Sequence, residues 1–433
     1  VCVFASFQRP IRQSQTLCAG EQEYIHQRKQ VVLESLNRLG INCTVDLVPH
    51  IALLASGGGQ RAAVGLVGSL HQMEKDGLLD AVLYLGGVSG STWSMAPLYS
   101  DPEWSVNMDR AVSILSGPGV QLEDALAWLG RTAQEDNFSL TDIWGVMTAA
   151  GIMKQMDLRR LSDEAGRNAT NPYPIYCAIE KYCFSNGPTE GKWFEVSPHE
   201  AGFTELGLFV ETSLLGSKFH NGTMLEKKPE MDMVRLQGMR IHPSIHPSIH
   251  PSIHPSIHPS IYLFSELVMW TCNVLFFLSA FSVSLLTKQI IPLIVKWEWG
   301  TTRNFLYQYE DSIIPPCLHS SESFHLMDAG LLINVAYPSF LGDKRDIDLI
   351  IAPEYSAGDM FEVPLYLAWS PDQIRKKHVR CVLGQDTSPS LSPVPLTLVR
   401  CELAATLLSV YPRATVVTDV VYHHQRENVR ANE

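Results

Sequence analysis

The stretch YLGGVSGSTWS, Tyr84 to Ser94, follows directly on Ala81-Val82-Leu83 and changes character in its middle. With AVL before it, the first part is a short apolar run of strand type, while STWSMAPL behind it is compatible with a helix. Between them lies Gly87-Val88-Ser89-Gly90-Ser91. A serine on so tight a strand-to-helix turn has the arrangement of a nucleophile elbow. Larger neighbours would not fit the turn, and the following helix N-terminus aims unpaired N–H groups and its positive dipole end at a developing oxyanion. The pattern is G-x-S-G-S and not the commoner G-x-S-x-G, so this pentapeptide alone also reads as an ordinary turn.

Working outward, His50 to Ala55 (HIALLA) reads as a buried strand and is followed by Ser56-Gly57-Gly58-Gly59. The next segment, QRAAVGLVGSLHQMEK, has apolar Ala62, Leu66, Leu70 and Met73 at helical spacing, with Gly77 as its stop. Strand, glycine loop, helix, strand, elbow and helix make a βαβ pattern, which predicts an α/β domain with a largely parallel sheet. The glycines let the N–H groups of Gly58 and Gly59 approach a ligand closely. Together with the N–H of Gly90 they would form an oxyanion hole. Arg61, at the rim of this loop, suits an anionic group such as phosphate. A nucleotide-phosphate loop or a plain turn would also account for SGGG, but no G-K-[ST] follows, so it is not a P-loop.

A base for Ser89 is harder to find. Five histidines belong to a repeat, and His423-His424 lie in a polar tail. The other candidate is a carboxylate: FHLMDAGLLIN places Asp328 between an apolar run and Ala329-Gly330. With an ordinary pKa near 3.9, an aspartate serves as a base only if partly desolvated and hydrogen-bonded to the serine. Read alone, it is more readily an aspartate capping a turn.

Composition limits the function classes. The chain of 433 residues is 45% hydrophobic and 18% charged, enough for a large core in one large or two medium domains. Its net charge of -12 argues against nucleic acid, which requires a basic face. The nine cysteines are scattered, without CxxC, which favours thiols in a reducing compartment over a disulfide framework. VCVFASFQRPIRQSQ lacks the apolar core of a secretory signal, so a cytosolic address is expected.

Elsewhere, residues 20–38 and much of 105–166 read as helical, and PIYCAIE, KWFEV and LGLFVE as strands. From His242 to Ile261 the unit HPSI repeats five times, and its prolines exclude helix and central strand. Leu267 to Thr287 is uncharged and long enough to span a bilayer at about 20 residues, or to be a buried segment. A span there would separate Ser89 from Asp328, which must end in one compartment.

SGGGQR, GVSGSTW and MDAGLLIN, in this order, resemble the catalytic core of the group IV cytosolic phospholipase A2 family. SLTDIWG, NPYPIYCAIE, WFEVSPHEAGF, GSKF, WEWGTTRNFLY and DIDLIIAPEYSAGDMFE fit the same family. The likeness is nearest its gamma branch, which has no calcium-dependent lipid-binding domain in front. It covers roughly residues 20 to 240 and 293 to 362. The resemblance implies a lipase- or patatin-like three-layer α/β catalytic domain with a central, mostly parallel sheet. It also implies a Ser–Asp dyad, with Ser89 as nucleophile and Asp328 as base, and Gly58, Gly59 and Gly90 as oxyanion donors. Arg61, and Arg345 in GDKRDIDLI, match family arginines expected at the substrate phosphate. The implied activity is calcium-independent hydrolysis of glycerophospholipid acyl esters, with possible lysophospholipase action, through an acyl-serine intermediate. No cofactor or metal is implied, and the partner is a membrane surface met peripherally from the cytosol.

The organisation expected is a catalytic domain in two parts, 1–240 and 293–433, separated by the repeat at 241–261 and an apolar insert at 262–292. From about Val363 the family likeness fades, so the C-terminal part is expected to be shortened. QIRKKHVR (373 to 380) suits either anionic lipid or a solvated helix face. The alternative function is a catalytically impaired, membrane-associated lipid-binding protein, the insert and altered C-terminus preventing assembly of the dyad.

Overall fold

The computed structural model describes residues 10–135, 137–181, 183, 192–238, 288, 290–296, 300–311, 314–331, 334–341, 344–355 and 414–418. The HPSI repeat, the apolar stretch 267–287 and the basic cluster 373–380 lie outside them. Among the described residues no helix is long and apolar enough to cross a membrane.

Four parallel strands hold the centre. They are β2 (Ile51–Ala55), β3 (Tyr84–Val88), β4 (Tyr173–Glu180) and β13 (Leu349–Pro353), in the spatial order β13-β2-β3-β4. Ile351 pairs with Leu53, Leu53 with Leu85, and Leu85 with Pro174. Every residue of β2, β3 and β4 is buried, which is why they read as continuous apolar runs and not as alternating ones. The α/β class expected from the βαβ pattern is therefore the class found. The sheet is mixed, however. Beyond β4 it continues antiparallel through β5 (Lys192–Val196), β6 (Glu200–Phe203), β7 (Leu208–Glu211) and β1 (Ile11–Gln13). On the other side β14 (Ala414–Thr418) closes antiparallel on β13, while β8 (Lys218–His220) with β9 (Thr223–Glu226), and β10 (Thr302–Arg303) with β11 (Ser323–Phe324), form separate antiparallel pairs. Strands from before and after residues 239–287 thus share one sheet.

Helix α1 (Ala19–Arg38) buries Tyr24, Ile25, Arg28, Val32, Ser35 and Leu36, a 3.6-residue stripe that carries Val32 and Leu36 into the same core as β2 and β3. Helix α2 (Gln60–Lys75) buries the sequence-predicted Ala62, Leu66, Leu70 and Met73, and ends before Gly77 at φ 70°. Helix α3 (Gly90–Leu98) follows the elbow and is wholly buried. The segment read as helical beyond it holds α4 (Met108–Ser116), α5 (Leu122–Thr132) and α6 (Leu140–Val146), which continues into a π-turn at Met147–Ile152. Ser139 and Asp142 cap α6 reciprocally.

One expectation is corrected. Cys183, just past β4, and Cys317, in the short helix Pro316–His319, are joined in a disulfide with Cα atoms 5.2 Å apart. The two are 134 residues apart in sequence, and only the fold brings them together, so spacing alone read them as separate thiols. Cys18, Cys43 and Cys177 remain thiols.

Candidate active site

Ser89 and Asp328 meet because two strands approach head-on along one edge of β4. Strand β3 runs parallel to β4 and ends at the pair Val88–Cys177. The two-residue strand β12 (Leu326–Met327) runs antiparallel and ends at the pair Met327–Ile179. Because β5 already holds the other edge of β4 over Tyr176–Glu180, β12 occupies the β3 edge. The residues after each last pair, Ser89 and Asp328, therefore converge opposite Ala178. Ser89 Oγ donates a hydrogen bond of 2.5 Å to Asp328 Oδ2, across 239 residues of sequence. The other carboxylate oxygen, Oδ1, accepts from the Gly330 N–H at 2.8 Å, which fixes the rotation of the group.

The elbow is strained and braced. Ser89 has φ 52° and ψ -130°, a conformation that costs a non-glycine residue on the order of 1–3 kcal/mol and persists only where the surroundings impose it. Ser91 supplies much of that constraint. Its Oγ accepts from the Val88 N–H (3.0 Å) and lies within donating distance of both Val88 O (2.7 Å) and Ala55 O (3.1 Å), which share its one proton, placing the turn against β2. Thr92 Oγ1 donates to Ser89 O at 2.6 Å. Ser89 is 8% exposed, so a reacting group would meet its hydroxyl in a largely dry setting.

The glycine loop lies against the elbow. A Cβ at Gly90 would stand 2.0 Å from the Gly59 carbonyl oxygen, so only glycine permits this approach of two backbones. Gly59 itself has φ 60°, the left-handed region, as N-cap of α2. Gly58 and Gly59 lead into the N-terminus of α2 and Gly90 opens α3, two helix ends whose first N–H groups have no intrahelical partner. The loop is held from beyond Asp328. Gly57 N–H donates to Asn334 O, and Asn334 Nδ2 donates to Gly57 O, both at 3.0 Å. Tyr355 N–H donates to Ser56 Oγ at 2.6 Å, while the phenol of this half-buried residue, pushed above its ordinary range by desolvation, donates to Ser69 Oγ. Ser91, Asn334 and Tyr355 carry no role that is evident from sequence. The second serine of GVSGS and the asparagine closing MDAGLLIN were the available signals.

The two arginines part company. Arg61 is exposed on the first turn of α2, beside the glycine loop. Arg345 is corrected. It is 1% exposed and its guanidinium is already committed to two carboxylates and a carbonyl. Nε and one terminal nitrogen donate to Glu21 at 2.8 and 3.2 Å, both terminal nitrogens donate to Glu195 at 2.8 and 2.7 Å, and one donates to Ser339 O. Lys344 joins Glu195 to Glu200, which Arg12 also grips, giving a network of three cations and three carboxylates. Burial alone would raise the Glu195 carboxyl, but Arg345 and then Lys344 hold it well below its ordinary range. Arg345 ties α1 to β5; its donors are not open to a substrate phosphate. Cys18, Glu21 and Glu200 also converge in ligand-like fashion, but Arg345, Arg12 and Lys344 already engage the two carboxylates.

A model of the lysophospholipase catalytic domain matches residues 51–110 and 127–244, which carry the glycine loop and the elbow and stop before Asp328. Human cytosolic phospholipase A2 gamma is 30% identical over 410 residues, covering 79% of this chain and 75% of that protein. The chain belongs to the cytosolic phospholipase A2 family. That family places it among the carboxylic-ester hydrolases that act on phospholipids. Human cytosolic phospholipase A2 zeta is 40% identical over 240 residues, but the match spans 52% of this chain and 28% of the relative. The solved structure of human GIVD cytosolic phospholipase A2 superposes with a TM-score of 0.62 at 25% identity, covering 82% of this chain and 52% of that one. Beside that structure, this chain of the cytosolic phospholipase A2 family spans about half the length.

Proposed function

We propose that this chain hydrolyses acyl esters of glycerophospholipids, as a phospholipase A2 with lysophospholipase activity, through a Ser89–Asp328 dyad. The observation that carries the reading is the 2.5 Å bond from Ser89 Oγ to Asp328 Oδ2 on a strained elbow facing a glycine loop. Asp328 takes the hydroxyl proton as Oγ attacks the acyl carbonyl carbon. The N–H groups of Gly58, Gly59 and Gly90 receive the negative charge that develops on the carbonyl oxygen. Collapse of the tetrahedral intermediate breaks the ester C–O bond, and the proton on Asp328 passes to the leaving lysophospholipid alcohol. Water then repeats the attack on the acyl-serine, with Asp328 accepting its proton, and Ser89 leaves protonated as the fatty acid departs. Arg61, at the rim, holds the substrate phosphate.

No step in this sequence uses calcium, so the activity is expected to survive a chelator, with the chain meeting membrane peripherally from the cytosol. A neighbouring structure, human GIVD cytosolic phospholipase A2, was solved with methyl gamma-linolenyl fluorophosphonate. Such an acyl-like electrophile has the shape and reactivity that the Ser89 geometry would accept. The test is hydrolysis of a mixed-acyl phosphatidylcholine by the full chain and by Ser89→Ala, each with and without EDTA. Release of fatty acid by the parent alone, unaffected by EDTA, supports the reading. No release by the parent favours a lipid-binding protein without turnover, and release by Ser89→Ala removes Ser89 from the chemistry.

A further inference from the structure

A cavity of about 280 Å³ opens at the C-terminal end of α3, and none of Ser89, Gly58, Gly59, Gly90 or Asp328 lines it. Its floor is apolar: Val67 of α2, Leu98 of α3, Ile114 and Leu115 of α4, and Met153. Helix α4 leaves its apolar side half-covered here, since Met108 is its only fully buried residue. The volume falls near the lower end of small-molecule sites, roughly 300 Å³, which suits one flexible chain and not a two-chain phospholipid.

The polar part of the wall is selective. Asp101 and Arg110 line the cavity but neutralise each other through a 3.1 Å ion pair. Lys154 also lines it, is half-buried, and makes no hydrogen bond or ion pair among the described residues. Its backbone lies at φ 59°, where a residue with a side chain is uncommon and strained. The bare Gly119 makes room for its stem, since a Cβ there would stand 2.9 Å from Lys154 Cδ. A strained backbone and a cleared path thus deliver an uncommitted cation to the edge of an apolar slot. The partner such a cation lacks is an anion carried on an apolar chain.

We propose that this cavity binds a single-chain amphiphile with an anionic head, a fatty-acid carboxylate or a lysophospholipid phosphate, the head at Lys154 and the chain along α4. The site is separate from the Ser89 chemistry, and its test does not depend on turnover. The full chain is exposed to diazirine-bearing palmitate, lysophosphatidate or hexadecanol, irradiated, and mapped by peptide mass spectrometry. Cross-links within residues 107–115 or 153–155 from either anionic probe are expected, and the stronger of the two assigns the head group. Lys154→Met should weaken labelling by that anion about tenfold while sparing the neutral alcohol. Ile114→Trp, which fills the slot, should abolish labelling there by all three, with a thermal melt confirming that the variant is folded. Labelling confined to other segments, or an anionic probe indifferent to Lys154→Met, would overturn the proposal.

Discussion

Arg345→Met separates a structural arginine from a phosphate-binding one. The guanidinium makes five hydrogen bonds, four of them to the carboxylates of Glu21 and Glu195, both fully buried. Methionine fills similar space but leaves two buried anions short of a counter-charge. Removing one partner of a buried ion pair costs about 3–5 kcal/mol. Glu195 keeps Lys344 at 2.8 Å and the Thr204 hydroxyl, which places the expected loss in the lower part of that range, about 3–4 kcal/mol. At roughly 1 °C per kcal/mol for a chain of this length, Tm should fall by about 3–4 °C at pH 7. The assay is thermal unfolding of parent and variant, with initial rates on phosphatidylcholine and on an uncharged acyl ester. Combining Arg345→Met with Glu21→Met should recover part of the loss, because one stranded charge goes with it. An unchanged Tm together with a KM raised only for the phosphate-bearing substrate would refute the structural reading and return Arg345 to the substrate.

Three further outcomes are expected. Gly90→Ala sets a methyl against the Gly59 carbonyl and must displace either elbow or loop, so kcat should drop about 100-fold or more, as when an oxyanion donor is lost; kinetics beside a melt would check it. Asn334→Ala removes the side-chain bond to Gly57 O but keeps the backbone bond from Gly57 N–H, so stability should fall by about 1 kcal/mol and kcat by more than KM changes. The folded-state Glu195 carboxyl lies below its ordinary value, so its contribution is complete above about pH 4.3 and is lost as pH falls below that. Tm against pH should therefore steepen below that point, less so in Glu195→Gln; equal slopes would deny Glu195 this role.

What the sequence disclosed follows from which signals are local. Strands β2 and β3 are apolar throughout because both faces are covered, and α2 repeats at 3.6 residues, so the half of the site that they carry was legible. The glycines were legible for the same reason, since a tight turn excludes other residues at the turn itself. The meeting of Ser89 with Asp328 was not, because the strand that delivers Asp328 is two residues long and only its pairing with the far end of β4 gives it direction. The residues offered Asp328 only as one candidate carboxylate, and the family resemblance singled it out. Arg345 was misplaced because its partners, Glu21 and Glu195, stand 324 and 150 residues away, and an arginine in sequence does not reveal whether its charge is already matched. Cys183 and Cys317 were hidden likewise, each ordinary in its own segment. The antiparallel strand β6, four residues with a glycine inside, was too short to read.

The dyad is tested most directly by intact-protein mass spectrometry of the full chain treated with a long-chain fluorophosphonate. A single adduct is expected on the Ser89 peptide, absent from Ser89→Ala and formed about 100-fold or more slowly in Asp328→Asn. An adduct that persists in Ser89→Ala, or one that forms in Asp328→Asn at the parent's rate, would contradict the dyad.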